Sequence, residues 1–341
     1  MKTVLKNRRQ TIILGLLMIS ILSLLLFGCA KNQEAQKTAG ESQAKQPDII
    51  RVPTPGDVTR PDIYMVADEL GYFAEEGIKL EYVGVVPSPQ LVASVVAGKI
   101  DVGAAHINRT IAGISAGAKI KAVVAGTETT KEIPHMVYVT LDNSPVKSAK
   151  DMIGKKVGIP TIGGCNEYTP YAYLKKNGID SPKGKVEVIV MPEANLEQAL
   201  RQGDIDIAGF HKNPNFLLAR GGLKVLFTDY DVFGTVGGGT PFYFSEKFIK
   251  EKPDVVRRFV KAIAKANDWA DANQQQAIDI TVKRAKVDPK LLRTGYFAPQ
   301  GIIQPETATI WIDLLKEFGE IKNDVKPEQI FTNEFNPNAK R

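Results

Sequence analysis

The sequence predicts an α/β protein of two similar lobes, each a mostly parallel sheet flanked by helices. Strand-like and helix-like segments alternate from residue 49 onward. The alternation occurs twice in the same order, and matching features lie about one hundred positions apart. Such alternation builds parallel sheets covered by helices on both faces.

In the first unit, residues 49–53 read as a strand, followed by a turn-rich loop through Arg60. Pro61 suits the first position of a helix running to Phe73, where its missing N–H would be unpaired anyway. Gly77-Ile78 leads into a strand at 79–85. Ser88, as a cap, and Pro89 open a second helix that ends at Gly98, and residues 100–103 form a short strand. The second unit starts with a strand at 156–160, a loop carrying Gly163-Gly164 and a helix from Asn166 to Lys176. Gly178-Ile179, a strand at 186–191, a helix with capping-box spacing at Asn195 and Gln198, and a short strand at 205–207 complete it. Gly77-Ile78 maps onto Gly178-Ile179, and Asp101 onto Asp206.

A strand at 240–244 then returns the chain to the first lobe. Gly237-Gly238-Gly239 before it is a candidate hinge, because glycine absorbs large backbone changes. Helices opening at Pro253 and Pro305 carry apolar stripes, including Val256, Phe259, Val260 and Ile263 in the first, and Ala308, Trp311, Ile312 and Leu315 in the second. These stripes belong to the core. The expected boundaries are 48–143 with 238–341 for one lobe and 144–237 for the other, with crossings near residues 144 and 238.

The 341-residue chain has 44 Lys+Arg and 38 Asp+Glu, a formal net charge of +6. Seven basic and two acidic residues fall within positions 1–46, so the remainder is almost neutral. A neutral body excludes a surface that tracks phosphates, and no nucleic-acid partner is expected. Lys2, Lys6, Arg8 and Arg9 precede an uncharged, Leu/Ile-rich run from Thr11 to Phe27. This is the layout of a signal peptide, assigned to residues 1–28. Leu26-Phe27-Gly28-Cys29 resembles the bacterial lipobox, which implies lipidation of Cys29; Phe27 departs from the small residue usual there. Residues 29–47, polar and without apolar periodicity, read as a flexible tether. Cys165 is then the remaining thiol, so no disulfide framework is expected.

Several quoted stretches resemble one family. They are Tyr64-Met-Val-Ala67, Gly71-Tyr72-Phe73-Ala-Glu-Glu-Gly77-Ile78, Ala97-Gly98-Lys-Ile-Asp101-Val-Gly103, Ser148-Ala-Lys-Asp151, Gly154-Lys-Lys156-Val-Gly158 and Gln202-Gly203-Asp204-Ile-Asp206. Over residues 48–320 the chain resembles the solute-binding proteins of nitrate, sulfonate, taurine and thiamine-precursor ABC importers. The resemblance implies a type II periplasmic-binding-protein fold that captures a small solute in the interlobe cleft. It implies an ABC permease with its ATPase as partners, a monomer held by its lipid at the outer face of the cytoplasmic membrane, and no cofactor. A related eukaryotic pyrimidine synthase uses a Cys-rich motif to hold iron. Here that region offers Cys165 alone, so the chain is expected not to be an enzyme.

Ligands in open α/β sheets bind beyond the carboxyl ends of the strands. His106-Ile107-Asn108-Arg109 begins five residues past Asp101, and His211-Lys212-Asn213 five residues past Asp206. The repeat therefore aims a His-x-Asn at the cleft from each lobe. Asn both donates and accepts, and His does either near neutral pH. The junctions Thr59-Arg60-Pro61 and Gly164-Cys165-Asn166-Glu167 form a second pair, since helix starts attract anions. Asp62 is read as satisfying its own helix start. Glu167 opposes a bare anion and suits a ligand that also carries an amine, while Arg60, Arg109 and Lys212 supply positive charge. Tyr168 and Phe210 could flank a ring or pack in the core. Two histidines without a Cys or carboxylate partner at suitable spacing make no metal site. Cys165 has no base placed locally, and Gly113-Ile114-Ser115-Ala116-Gly117 lacks the strand a nucleophile elbow requires. The expected solutes are, in order, a sulfonate or amino-sulfonate, a nitrogen heterocycle such as a thiamine-pyrimidine precursor, and nitrate. The alternatives from other classes are a hydrolase and a structural or adhesive lipoprotein.

Overall fold

Among the described residues ten strands form three hydrogen-bonded sheets, two of which together make the counterpart of the third. In chain order they are β1 (Asp48–Thr54), β2 (Ile78–Val85), β3 (Val102–Ala104), β4 (Ile120–Thr127), β5 (Val137–Leu141), β6 (Lys156–Ile159), β7 (Glu187–Val190), β8 (Ile207–Phe210), β9 (Leu223–Thr228) and β10 (Thr240–Ser245). The computed structural model describes residues 46–341 except Asp57, Lys212, Asn213, Lys340 and Arg341. The signal peptide, Cys29 and almost all of the tether therefore lie outside the described residues.

The second sheet has the order β7-β6-β8-β5-β9, and the first has the hydrogen-bonded pieces β2-β1 and β3-β10-β4. An aspartate joins those two pieces. The Asp101 amide donates to the Arg51 carbonyl at 2.9 Å, and the Arg51 amide donates to Asp101 Oδ2 at 2.8 Å. The second lobe repeats both bonds 105 positions later. The Asp206 amide donates to the Lys156 carbonyl at 2.9 Å, and the Lys156 amide donates to Asp206 Oδ2 at 2.9 Å. The mapping of Asp101 onto Asp206 is thus a shared hydrogen-bond motif: a short carboxylate just before the third strand of each lobe ties it to the first.

Each sheet also holds one antiparallel strand, β10 in the first and β5 in the second. Both are inserted just after the chain has crossed between sheets. The first crossing occupies residues 128–136, upstream of β5 and not near residue 144, and the second occupies 229–239. The crossings bond to each other through buried Asp229, which accepts from Thr129 Oγ1 and from the Met136 amide. Glycines 237–239 do not adopt left-handed φ. A Cβ on Gly238 would lie 2.4 Å from Thr129 Oγ1 and 2.7 Å from His135 Cβ, so close packing of the crossings accounts for glycine there.

Several helix starts differ from expectation. Asp62 is the cap of helix Ile63–Glu69, its Oδ1 accepting from the Met65 amide at 2.9 Å, which leaves Pro61 outside. Ser88 and Pro89 lie in a 3-10 turn before the helix Leu91–Val96. The helix expected from Asn195 begins two residues earlier, at Glu193. Val256, Phe259, Val260 and Ile263 pack with Ile50, Val66 and Phe244 against the first sheet. The Trp311 stripe packs with Tyr138, Ile207 and Phe227 of the second, so the C-terminal segment serves both lobes. Among the described residues, no helix is long and apolar enough to cross a membrane.

Removing either aspartate leaves a strand amide, that of Arg51 or Lys156, without its carboxylate. Asp101→Ala is expected to lower stability by about 1–3 kcal/mol. Asp206→Ala, at a more exposed carboxylate, is expected to cost less. Urea unfolding with an unchanged m-value checks both.

Candidate functional site

The carboxyl ends of the two sheets enclose a cavity of about 640 Å³. Thr59, Arg60, Tyr64, His106, Arg109, His135, Gly164, Cys165, Asn166, Glu193 and His211 line it. Of the residues expected from the sequence, Thr59, Arg60, His106, Arg109, Gly164, Cys165, Asn166 and His211 are thus brought together. Asn213 lies outside the described residues. His135, Glu193 and Tyr64 were not anticipated.

His106 caps the helix Ile107–Ser115, and its Nε2 lies 2.7 Å from the Gly237 carbonyl. Burial pushes its pKa down to about 4, so the ring is neutral. His135 sits on the first crossing, with Nδ1 3.2 Å from Arg60 Nη1 and Nε2 3.5 Å from Cys165 Sγ. Burial, reinforced by Arg60, holds it well below the ordinary histidine value. His211 follows β8. Its Nε2 lies 3.6 Å from Cys165 Sγ, and its Nδ1 lies 3.4 Å from Glu193 Oε2. Burial opposes charge on this ring, yet the Cys165 sulfur and the Glu193 carboxylate outweigh it and raise the pKa to about 9. The expectation that Cys165 lacks a neighbouring base is therefore corrected: two imidazoles from distant segments reach its sulfur. The expectation that the histidines lack a sulfur partner is corrected by the same contacts.

Asn108 and Arg109 hold the lobes against each other. Asn108 Nδ2 donates to the Gly163 carbonyl at 2.9 Å, and Arg109 Nη2 donates to Thr161 Oγ1 at 3.2 Å and the Ile162 carbonyl at 2.9 Å. Gly164 leaves the necessary room. A Cβ there would lie 2.4 Å from Asn166 Oδ1 and 3.1 Å from Arg109 Nη2.

Other expected residues play other parts, Asn108 among them, since it bridges to Gly163 and does not line the cavity. Glu167 accepts from the Gly163 amide through Oε2 at 2.6 Å and does not line the cavity. Phe210 is buried beneath the second sheet with Val139, Leu196 and Leu217. Tyr168 likewise packs in the core, beside Phe318.

Arg60 is a half-buried guanidinium whose charge desolvation disfavours. Asn166 is 1% exposed, and neither end of its amide has a hydrogen-bond partner among the described residues. The Tyr64 hydroxyl is equally unpartnered. Buried polar groups are almost always bonded, so these orphan groups on cavity-lining residues stand out.

The architecture is thus two similarly built α/β sheets with a polar cavity at their carboxyl ends. Residues 62–277, more than half of the chain, match the family described as NMT1/THI5 like, and the protein belongs to that family. The riboflavin-binding protein RibY of Chloroflexus aurantiacus is 24% identical over 282 residues, covering 80% of this chain and 78% of that protein. Among solved structures, the periplasmic aliphatic sulphonate binding protein SsuA from Escherichia coli aligns with a TM-score of 0.65 and 20% identity, covering 83% of this chain and 91% of its own. The zinc-bound ligand-binding component of an ABC-type import system from Staphylococcus aureus aligns with a TM-score of 0.67 and 18% identity, covering 86% and 99%. At these identities the solved structures establish the fold.

The depressed pKa of His106 has a definite sign. Protonation favours the unfolded chain, so the ring's contribution is fully present above pH 6.5 and is lost as pH falls towards 4. The stability advantage of the native protein over His106→Gln is expected to shrink across that window by up to about 3 kcal/mol. Urea midpoints measured at several pH values check it.

Proposed function

We propose that the protein is the extracytoplasmic solute receptor of an ABC importer, with the type II two-lobed arrangement, and that its solute is a small organic anion. A sulfonate or amino-sulfonate is the favoured class. The observation that carries this reading is a group of polar atoms at one wall: both ends of the Asn166 amide and the Tyr64 hydroxyl, which lack partners among the described residues, beside the Arg60 guanidinium. An oxyanion accepts from Arg60, from Asn166 Nδ2 and from the Tyr64 hydroxyl. Asn166 Oδ1 and Glu193 offer acceptors to an amine at the other end. Family membership and the alignment with a sulphonate-binding fold support the same reading.

The cavity is too roomy for nitrate alone, and among the described residues Tyr64 lines it but no Phe or Trp on which a large ring would stack. A heterocycle is therefore the second choice, kept by the riboflavin-binding relative. Capture would work by closure. Asn108 and Arg109 already reach across to the Thr161–Gly163 loop, and a solute touching both walls stabilises that closed arrangement over an open one. Lipid anchoring through Cys29, with docking of the closed form on a permease, completes the proposal.

The full chain, screened by thermal unfolding against taurine, alkanesulfonates, nitrate, pyrimidines and amino acids, is expected to respond to a sulfonate. At 100 times its Kd the ligand adds about 2.7 kcal/mol of stability. Arg60→Ala and Asn166→Ala are each expected to weaken binding about tenfold or more, because each removes a buried bond to the guest. No response to any sulfonate, or full affinity in both variants, would defeat the assignment.

A further inference from the structure

All three histidines of the chain and its one cysteine beyond residue 29 converge on this cavity. We propose that Cys165, His135 and His211 form a three-donor site for a divalent transition ion of the zinc class, its fourth position open to the solute. The site adds to the solute reading above, which supplies the fourth ligand.

Donor chemistry comes first. One sulfur and two imidazoles suit zinc, cobalt, nickel or copper and not magnesium or calcium, which take oxygen. The spacing agrees. Metal bonds of about 2.3 Å to sulfur and about 2.0 Å to nitrogen, at the tetrahedral angle, set donor atoms about 3.6 Å apart. Cys165 Sγ lies 3.5 Å from His135 Nε2 and 3.6 Å from His211 Nε2.

The surrounding shell is also in place. Glu193 Oε2 beside His211 Nδ1 keeps a proton on that nitrogen and turns Nε2 to the sulfur, as an orienting carboxylate does for a metal-bound histidine, and the ion takes the place of the proton on Nε2. Arg293 fixes the backbone of both histidines, Nε donating to the His211 carbonyl at 2.6 Å and Nη2 to the His135 carbonyl at 2.7 Å. His106 brings a ring nitrogen within 4.8 Å of donor atoms on His135 and Cys165. Its two nitrogens face Asn108 Oδ1 and the Gly237 carbonyl, so it stands beside the ion and does not ligate it.

One contact must give way. Arg60 against His135 Nδ1 places that ring's proton on Nε2, and ligation requires the proton on Nδ1 and Arg60 turned into the cavity. An anionic solute would receive that guanidinium. Arg60 and Arg109 also disfavour a bare cation, so a negative fourth ligand balances the charge.

The test uses Co²⁺ alone, added to the full chain in the absence of solute. One equivalent is expected to give a near-ultraviolet thiolate–cobalt band with intense visible bands of tetrahedral cobalt, all removed by added Zn²⁺. Cys165→Ser is expected to abolish the near-ultraviolet band. Glu193→Gln, a positioning change, is expected to lower affinity about 10-fold to 100-fold. Absence of these bands, or their persistence in Cys165→Ser, would overturn the site. Rapid alkylation of Cys165 by iodoacetamide without cobalt binding would also overturn it, by leaving a thiolate–imidazolium pair in its place. Solute affinity measured with a chelator present reports on the solute reading separately.

Discussion

A single buried guanidinium sets the cavity wall. Arg293 is 7% exposed and donates to the carbonyls of Pro134, His135 and His211, while its own amide donates to the Thr59 carbonyl at 3.0 Å. Those acceptors belong to the first crossing, to the loop after β8 and to the loop after β1. A planar fork with fixed donors can hold three carbonyls in one geometry, which a lysine cannot do. Burial disfavours the charge, and Asp229 and Glu193 nearby favour it. His135 and His211 owe their mutual placement to this side chain, while Thr59, next to Arg60, is held by the Arg293 backbone.

Around that clamp, the duplicated lobes explain part of the site and the crossings explain the rest. Asp101 with His106 and Asp206 with His211 are copies at one offset, which is why both histidines emerge at strand ends facing the same space. His135 has no copy. It arrives because the first crossing must pass the second, packed against Gly238 and bonded by its amide to Thr129 Oγ1. The cavity is therefore symmetric in its two jaws and asymmetric in its third wall.

The repeated βα order, the aspartate pair and the cavity-end loops were legible in the sequence because each rests on local spacing. β5 and β9 were not, since an inserted antiparallel strand breaks the alternation that revealed the others. Phe210 and His211 show how fine the limit is. Successive strand residues face opposite sides, so one packs beneath the sheet while its neighbour reaches the cavity. Glu167 was misassigned because a carboxylate in a first turn can serve its own loop as well as a ligand, and here it binds the Gly163 amide. His135, Glu193 and Arg293 carry no motif. Each reaches the site through contacts with residues at least 18 positions away, which no short-range pattern records.

The chemistry of the cavity follows from this assembly: cationic at Arg60 and Arg109, thiol and imidazole at its floor, and open amide and hydroxyl groups on its wall. The most direct test of the central claim is the imidazole ¹H–¹⁵N correlation spectrum of Arg293→Lys beside that of the native chain, where three histidines give three ring systems. His135 and His211 signals are expected to move together while His106, held by Gly237 and Asn108, stays in place. Unmoved His135 and His211 signals would contradict the role given to Arg293.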